Sequence, residues 1–267
     1  MVHLLRSELF RLCKRPQSRV MFLIMFLSTG GFYIAFAIAA SASSDPDGIR
    51  DELILPQVFP AGMQAASLVG FILVVVMAAG LIGNEFGWST IRPLIARARG
   101  RGALLTAKWI AVAIFTIALF LFGLIVAVVF SAITSAIAGN FEGVSGSLLG
   151  DWAVSFGRLV ISNAPYAALA FTLTLVTRSN SAGITIGLGL VFIEPLIWAL
   201  LGLLSDGFDT AAHVGIAHNS ELLASMNGQT EVVSIGDAWR ATTLMAVYTA
   251  IFVAISYAVF RRRDITA

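Results

Sequence analysis

Charge is scarce in this chain of 267 residues: Asp, Glu, Lys and Arg make up 12% of it, about half the share of an ordinary soluble domain. That shortage, with 58% hydrophobic residues and a mean hydropathy of +0.90, excludes a soluble globular fold and predicts an integral membrane protein. A single cysteine, Cys13, excludes an internal disulfide and a cysteine-rich zinc site. Lysine occurs twice, as Lys14 after Cys13 and Lys108 after Ala107. Neither follows glycine, so the chain has no Gly-Lys-Ser/Thr loop to cradle nucleotide phosphates. Room is short as well. At ~20 apolar residues per crossing, the chain accommodates about six helical spans and no large catalytic domain. Nothing resembles a Ser-His-Asp nucleophile turn, a Gly-rich dinucleotide fingerprint or a basic, aromatic nucleic-acid surface. The chain is therefore read as a non-enzyme, with no catalytic residues, no bound metal, no cofactor of its own and no nucleic-acid partner.

What is present is a series of apolar runs, near 20–40, 62–83, 107–138, 159–177, 182–204 and 239–260. Each is at least as long as the ~17 residues that a helical crossing needs. The expected fold is all-α, with six transmembrane helices in a single domain over 1–267. Its parts are an interfacial helix at 1–17, the six-span bundle at 18–260 and a basic tail at 261–267. Fourteen of the 17 basic residues fall in the amino-terminal segment, the loop between spans two and three, Arg178 and the carboxy-terminal tail. Eleven of the 15 acidic residues fall in the other loops. The positive-inside rule then predicts a multi-pass protein of the cell membrane with both termini cytoplasmic. Ala37-Ile38-Ala39 and Ala40-Ser41-Ala42 resemble signal-peptidase sites. The preceding run of about twenty apolar residues exceeds the ~7–15 of a signal core, so a retained first span is expected.

Residues 2 to 15 form an amphipathic pattern. On a helical wheel Leu5, Leu9, Leu12 and Cys13 share one side, and Ser7, Glu8, Arg11, Lys14 and Arg15 the other. Such a helix lies in the headgroup boundary, touching lipid and offering a surface to a cytoplasmic partner, and Pro16 marks its break from span one. The loop after span two is too polar to cross a bilayer and too long for a tight turn. Ser89 or Thr90 can cap a short helix there, with Pro93 in its first turn.

The order Gly83-x-Glu85-x-x-x-x-Thr90-x-Arg92-x-Leu94, followed by Arg101, Leu104, Leu105 and Lys108 leading into span three, resembles the signature of type-2 ATP-binding-cassette (ABC) permeases. The chain has Ser89 where that family usually has glycine before the threonine. The likeness extends in outline over the whole chain. It implies that the spans form half of a pore and that this loop is a cytoplasmic coupling helix, with Gly83, Glu85, Thr90, Arg92, Leu94, Arg101 and Lys108 coupling it to ATPase subunits. It further implies two cytoplasmic ATPase subunits holding ATP and Mg, and a second permease, identical or related. On this reading the chain is the permease subunit of an exporter moving an amphipathic or hydrophobic compound, such as a drug, an antimicrobial peptide or a lipid-like product, by alternating access.

Polar groups at membrane depth are costly enough to count as functional candidates. Glu194 lies near the middle of span five, before Pro195, on one stripe with Gly183 and Gly187, a Gly-xxx-Gly pair. Glu194 is expected to line the translocation pathway, with Asn163 and Gln64 as weaker members, and the two glycines to pack across a dimer. An ion-gradient-driven carrier or channel using Glu194 as its proton or cation site is the alternative. His213 and His218 are five residues apart, which is not the i, i+4 spacing of a shared helical face, so no metal site is expected there.

Overall fold

The computed structural model describes residues 2–42, 58–91, 93–94, 100–138, 146–203, 213–225 and 235–262. Among these no strand occurs, and eight helices carry the fold: α1 (Val2–Lys14), α2 (Pro16–Ala42), α3 (Val58–Gly87), α4 (Arg101–Ala138), α5 (Gly146–Thr177), α6 (Asn180–Gly202), α7 (Ile216–Ser225) and α8 (Ile235–Arg262). Six of them, α2, α3, α4, α5, α6 and α8, are long and apolar enough to cross a membrane. This is compatible with a multi-pass membrane protein. Five of them contain an expected apolar run and mostly extend past it at one or both ends, while α6 covers 182–202 of the run at 182–204. The largest difference is at α5, which begins at Gly146 rather than near residue 159. The apolar run marks hydrocarbon thickness, whereas a helix continues until its backbone is capped. The interfacial helix ends at Lys14, and Pro16 opens α2, a position where its missing N–H costs nothing. Arg261 and Arg262 belong to α8, so the basic tail starts inside a helix.

The bundle is organised around α3 and α5, whose apolar windows are each 67% buried. Helices α2 and α4 flank α3, while α6, α7 and α8 pack about α5. By contrast, the apolar window of α6 is only 11% buried, and Phe192, Ile193, Leu196, Ile197 and Leu200 stand exposed on it. Between helices, hydroxyl and indole groups find partners: Tyr33 Oη and Ser131 Oγ lie 2.8 Å apart, Thr106 Oγ1 and Tyr257 Oη 2.6 Å, and Trp109 Nε1 donates to Ser256 Oγ at 3.1 Å. An unpartnered polar group in hydrocarbon costs several kcal/mol, so these bonds fix register between spans.

Helices α5 and α6 meet through a two-residue turn. Arg178 takes φ 58°, and Ser179 caps α6 with its side chain accepting from Ala182 N at 3.3 Å. Just beyond, Gly183 and Gly187 are both buried. A Cβ on Gly183 would collide with Thr174 Oγ1 and stand 2.8 Å from Ala170 O, and one on Gly187 would lie 3.1 Å from both Ala170 Cβ and Val75 Cγ1. The pair expected to pack across a dimer lies, within this chain, against Ala170, Thr174 and Val75, because a turn this short makes α5 the immediate neighbour of α6.

Gly183→Val is expected to lower stability by about 1–3 kcal/mol through overpacking against α5, read as an earlier thermal transition of the detergent-solubilised chain. A changed oligomeric state at unchanged stability would restore the dimer assignment.

Candidate functional site

The end of α3 and the start of α4 are closed on each other by charge. Lys108 is buried, and its Nζ donates to Glu85 Oε1 at 2.6 Å, to Glu8 Oε2 at 3.3 Å and to the carbonyl of Leu81 at 3.3 Å. Arg11 Nη1 lies 3.4 Å from Glu8 Oε1 and 3.5 Å from Glu85 Oε1. Two carboxylates and two cations thus balance in one cluster that joins α1, α3 and α4. Glu8 and Glu85 are 3% and 1% exposed, which decides their role: neither is a surface contact. A buried charge left alone costs several kcal/mol, so the cluster holds only as a set.

The placement of Glu8 departs from the wheel reading, in which it shared the solvated side of α1. It faces inward and Cys13 is exposed, because the ammonium of Lys108 draws the carboxylate into the bundle. Sequence reasoning missed Glu8 and Arg11 as members of this cluster. The available signal was Lys108 itself, a lysine within an apolar run that demands acidic partners.

The loop leaves α3 through a well-formed C-cap. Thr90 N donates to Glu85 O at 3.0 Å and Ser89 N to Phe86 O at 3.1 Å, the paired bonds of a Schellman motif. Ser89 sits at φ 56°, the left-handed region that glycine enters without cost. This gives the departure at Ser89 a physical meaning: the backbone keeps the conformation for which glycine is suited. Leu94 N then donates to Thr90 O at 3.3 Å, so a helical turn starts at Thr90, with Pro93 within it. Leu94 is half-buried against the core and Arg101, half-buried, opens α4. Gly83 is placed where α3 crosses the start of α6, and a Cβ there would lie 2.7 Å from Asn180 Cβ. Arg92 lies outside the described residues.

A second group of polar residues gathers toward the other end of the bundle. Gln64, Asn163, Tyr166, Ser220 and Glu221 line a cavity of ≈ 270 Å³ between α3, α5, α6 and α7, together with Pro195. Asn163 Nδ2 is spent on Leu159 O at 2.8 Å. Glu194, beside Pro195, is half-buried, and its Oε2 is buried without a hydrogen-bond partner. Gln64 and Asn163 therefore share one cavity, with Glu194 at its edge rather than in its wall.

The histidines come together despite their spacing. His213 Nδ1 and His218 Nε2 lie 3.0 Å apart with rings edge to face, and Asn219 Nδ2 donates to His213 O at 2.8 Å. No group of three or more metal-ligating side chains occurs among the described residues. Burial, then the neighbouring His213 and Arg240, hold His218 below the ordinary imidazole value of 6.5, against an opposing pull from Glu221.

Residues 15–266 match the family described as "Protein of unknown function (DUF2705)". The chain belongs to the DUF2705 family. Among curated proteins it is similar to "Uncharacterized protein YhcI" of Bacillus subtilis (strain 168), with 25% identity over 202 residues, or 72% of this chain. The match spans 63% of that relative's length. The matched segment of this DUF2705 protein includes every residue of the loop cluster except Glu8 and Arg11, which precede it.

Lys108→Met, which leaves two buried carboxylates opposite a single arginine, is expected to cost about 3–5 kcal/mol. Adding Glu8→Gln and Glu85→Gln should recover part of that loss. Thermal unfolding of the solubilised variants measures both, and an unshifted transition in Lys108→Met would remove the cluster's structural role. A second expectation concerns acidity. His218 binds its proton more weakly folded than unfolded, so its contribution is complete above about pH 6.5 and is lost as pH falls toward the depressed folded value. Stability should therefore decline below pH 6.5, and His218→Asn should flatten that part of the profile; an identical profile in the variant would dismiss the pair.

Proposed function

We propose that this chain is the membrane-spanning permease subunit of an ABC transporter, an exporter of an amphipathic or hydrophobic compound. The observation that carries the reading is the closure of the loop after α3 by Glu85 and Lys108, 23 residues apart in sequence and joined by a 2.6 Å hydrogen bond. Both are members of the permease-like motif, and their pairing ties the residues from which the loop leaves α3 and enters α4 to each other and to α1. A cytoplasmic subunit pressing on Thr90 to Arg101 would then move spans rather than bend a loose strand. The buried pair serves as the root of this lever, while Arg92 and the loop between it and Arg101 are assigned the contact surface. Two ATPase subunits would hold ATP and Mg, and both termini would face the cytoplasm across the cell membrane. With Gly183 and Gly187 closed inside the chain, the exposed apolar face of α6 is the surface assigned to a second permease. Alternating access then follows as a rigid-body switch of the two halves.

A second reading is kept for one observation. The unpartnered Glu194 Oε2 beside a polar cavity suits an ion-gradient-driven carrier that loads a proton or cation there.

Co-expression with the reading frames that flank the gene, followed by co-purification and ATPase measurement, separates the two. The ABC reading expects a stable complex whose transport depends on ATP, and it expects Arg92→Ala to uncouple hydrolysis from transport by several-fold without loss of assembly. Transport that persists without ATP and stops when ion gradients are collapsed would replace it with the carrier reading.

A further inference from the structure

At the basic end of the bundle, a cavity of ≈ 510 Å³ opens between α1, the start of α2 and the loop leaving α3, lined among others by Phe10, Arg11, Lys14, Arg15, Glu85 and Trp88. It sits where two candidate spans start or end, at Pro16 and Gly87, which is the level of lipid headgroups. Phe10 and Trp88 are 63% and 65% exposed, as aromatic anchors at a membrane surface are. Lys14 Nζ stands 5.7 Å from the centroid of the Phe10 ring and the guanidinium of Arg15 5.7 Å from that of Trp88. Among the described residues, neither cation has a carboxylate at ion-pair distance. The cavity therefore offers two uncommitted positive charges held in place by aromatic faces.

Behind its lining lies one uncommitted acceptor, which a ligand reaches by parting the side chains that close over it. Glu85 Oε1 is occupied by Lys108 and Arg11, whereas Oε2 is buried without a hydrogen-bond partner. A simple anion would satisfy Lys14 and Arg15 but would meet that carboxylate unfavourably. A simple cation would do the reverse. A group carrying a phosphodiester and a primary ammonium on a short tether satisfies both. The lining continues into an apolar track: Pro16 lines the cavity, and Val20, Leu23 and Leu27 follow it at i+4, i+3 and i+4 along one stripe of α2. These three are exposed by 51%, 55% and 59%, and residues so spaced share a helical face. An acyl chain fits such a track and a soluble metabolite has no use for it.

We propose that this cavity binds the headgroup of an aminophospholipid, with its phosphodiester on Lys14 and Arg15, its ammonium on Glu85 Oε2 and its acyl chain along α2. The site rests on the membrane placement and is independent of the transporter reading. Bound lipid would join α1 to the root of the loop.

The test uses the full chain in nanodiscs or mild detergent, with retention of phosphatidylethanolamine, phosphatidylcholine and phosphatidylglycerol compared by native mass spectrometry. Phosphatidylethanolamine is expected to be held about tenfold more strongly than the other two, since each lacks the N–H donor that a charged acceptor rewards. The double variant Lys14→Gln/Arg15→Gln should lose that retention while keeping its helical circular dichroism, and Lys14→Arg alone should keep both. Equal retention of all three lipids would overturn the proposal, as would undiminished retention in the double variant. Displacement of the lipid by glycerophosphoethanolamine at equal concentration would assign the cavity to a soluble ligand and overturn the lipid source. Loss of ATPase co-purification in the double variant, with lipid retention unchanged, would give the cavity to a protein partner instead.

Discussion

The ammonium of Lys108 is the constraint on which this end of the molecule depends. It is wholly buried near the start of an apolar helix, and the chain can tolerate it there only by bringing carboxylates to it. Glu85 arrives from the end of α3 and Glu8 from α1, 100 residues away in sequence. Arg11 follows to balance the second negative charge. One buried cation thus sets the position of the interfacial helix, the angle at which the loop departs and the register of α3 against α4. Weakly directional apolar contacts in lipid would not fix these relations alone, because hydrocarbon competes equally well for every leucine.

The six candidate spans were legible because crossing a membrane demands long apolar runs. The ends of the helices were less so. Residues 146–158 contain Asp151 and Arg158 yet belong to α5, since a helix stops where its carbonyls are capped rather than where apolarity ends. The Gly-xxx-Gly pair marks close packing, and within the chain its neighbour is α5, brought there by the two-residue turn at Arg178 and Ser179. The ion cluster was half legible. Glu85 and Lys108 stood out as a motif, whereas Glu8 read as a solvated residue, because a helical wheel describes one helix and knows nothing of the charge that another presents to it. The histidines met through a chain reversal before α7 that spacing rules for a single helix do not describe.

The polar cavity at the other end illustrates the same division of labour. Gln64, Asn163 and Tyr166 come from the two most buried helices, and α7 covers them with Ser220 and Glu221. Ser220 reaches Ser162 O at 3.4 Å, Tyr248 Oη donates to Val214 O at 2.8 Å, and Ile216 and Leu223 of α7 are buried against α5 and α8 side chains, so polar and apolar contacts together hold this cover.

The α5–α6 hairpin has a mechanical consequence. Its two arms are clamped at the basic end, where a two-residue turn and the seam at Gly183, Gly187 and Ala170 leave no room for sliding. Farther along, each arm contains a proline, Pro165 in α5 and Pro195 in α6. Each forfeits the hydrogen bond to the carbonyl four residues before it, at Ile161 and Val191. The hairpin is therefore stiff at its base and compliant toward its tips, like a pair of tweezers with thinned arms. Any bending of the hairpin would concentrate at the prolines, beside Glu194, and would displace most the tips that lie beyond them.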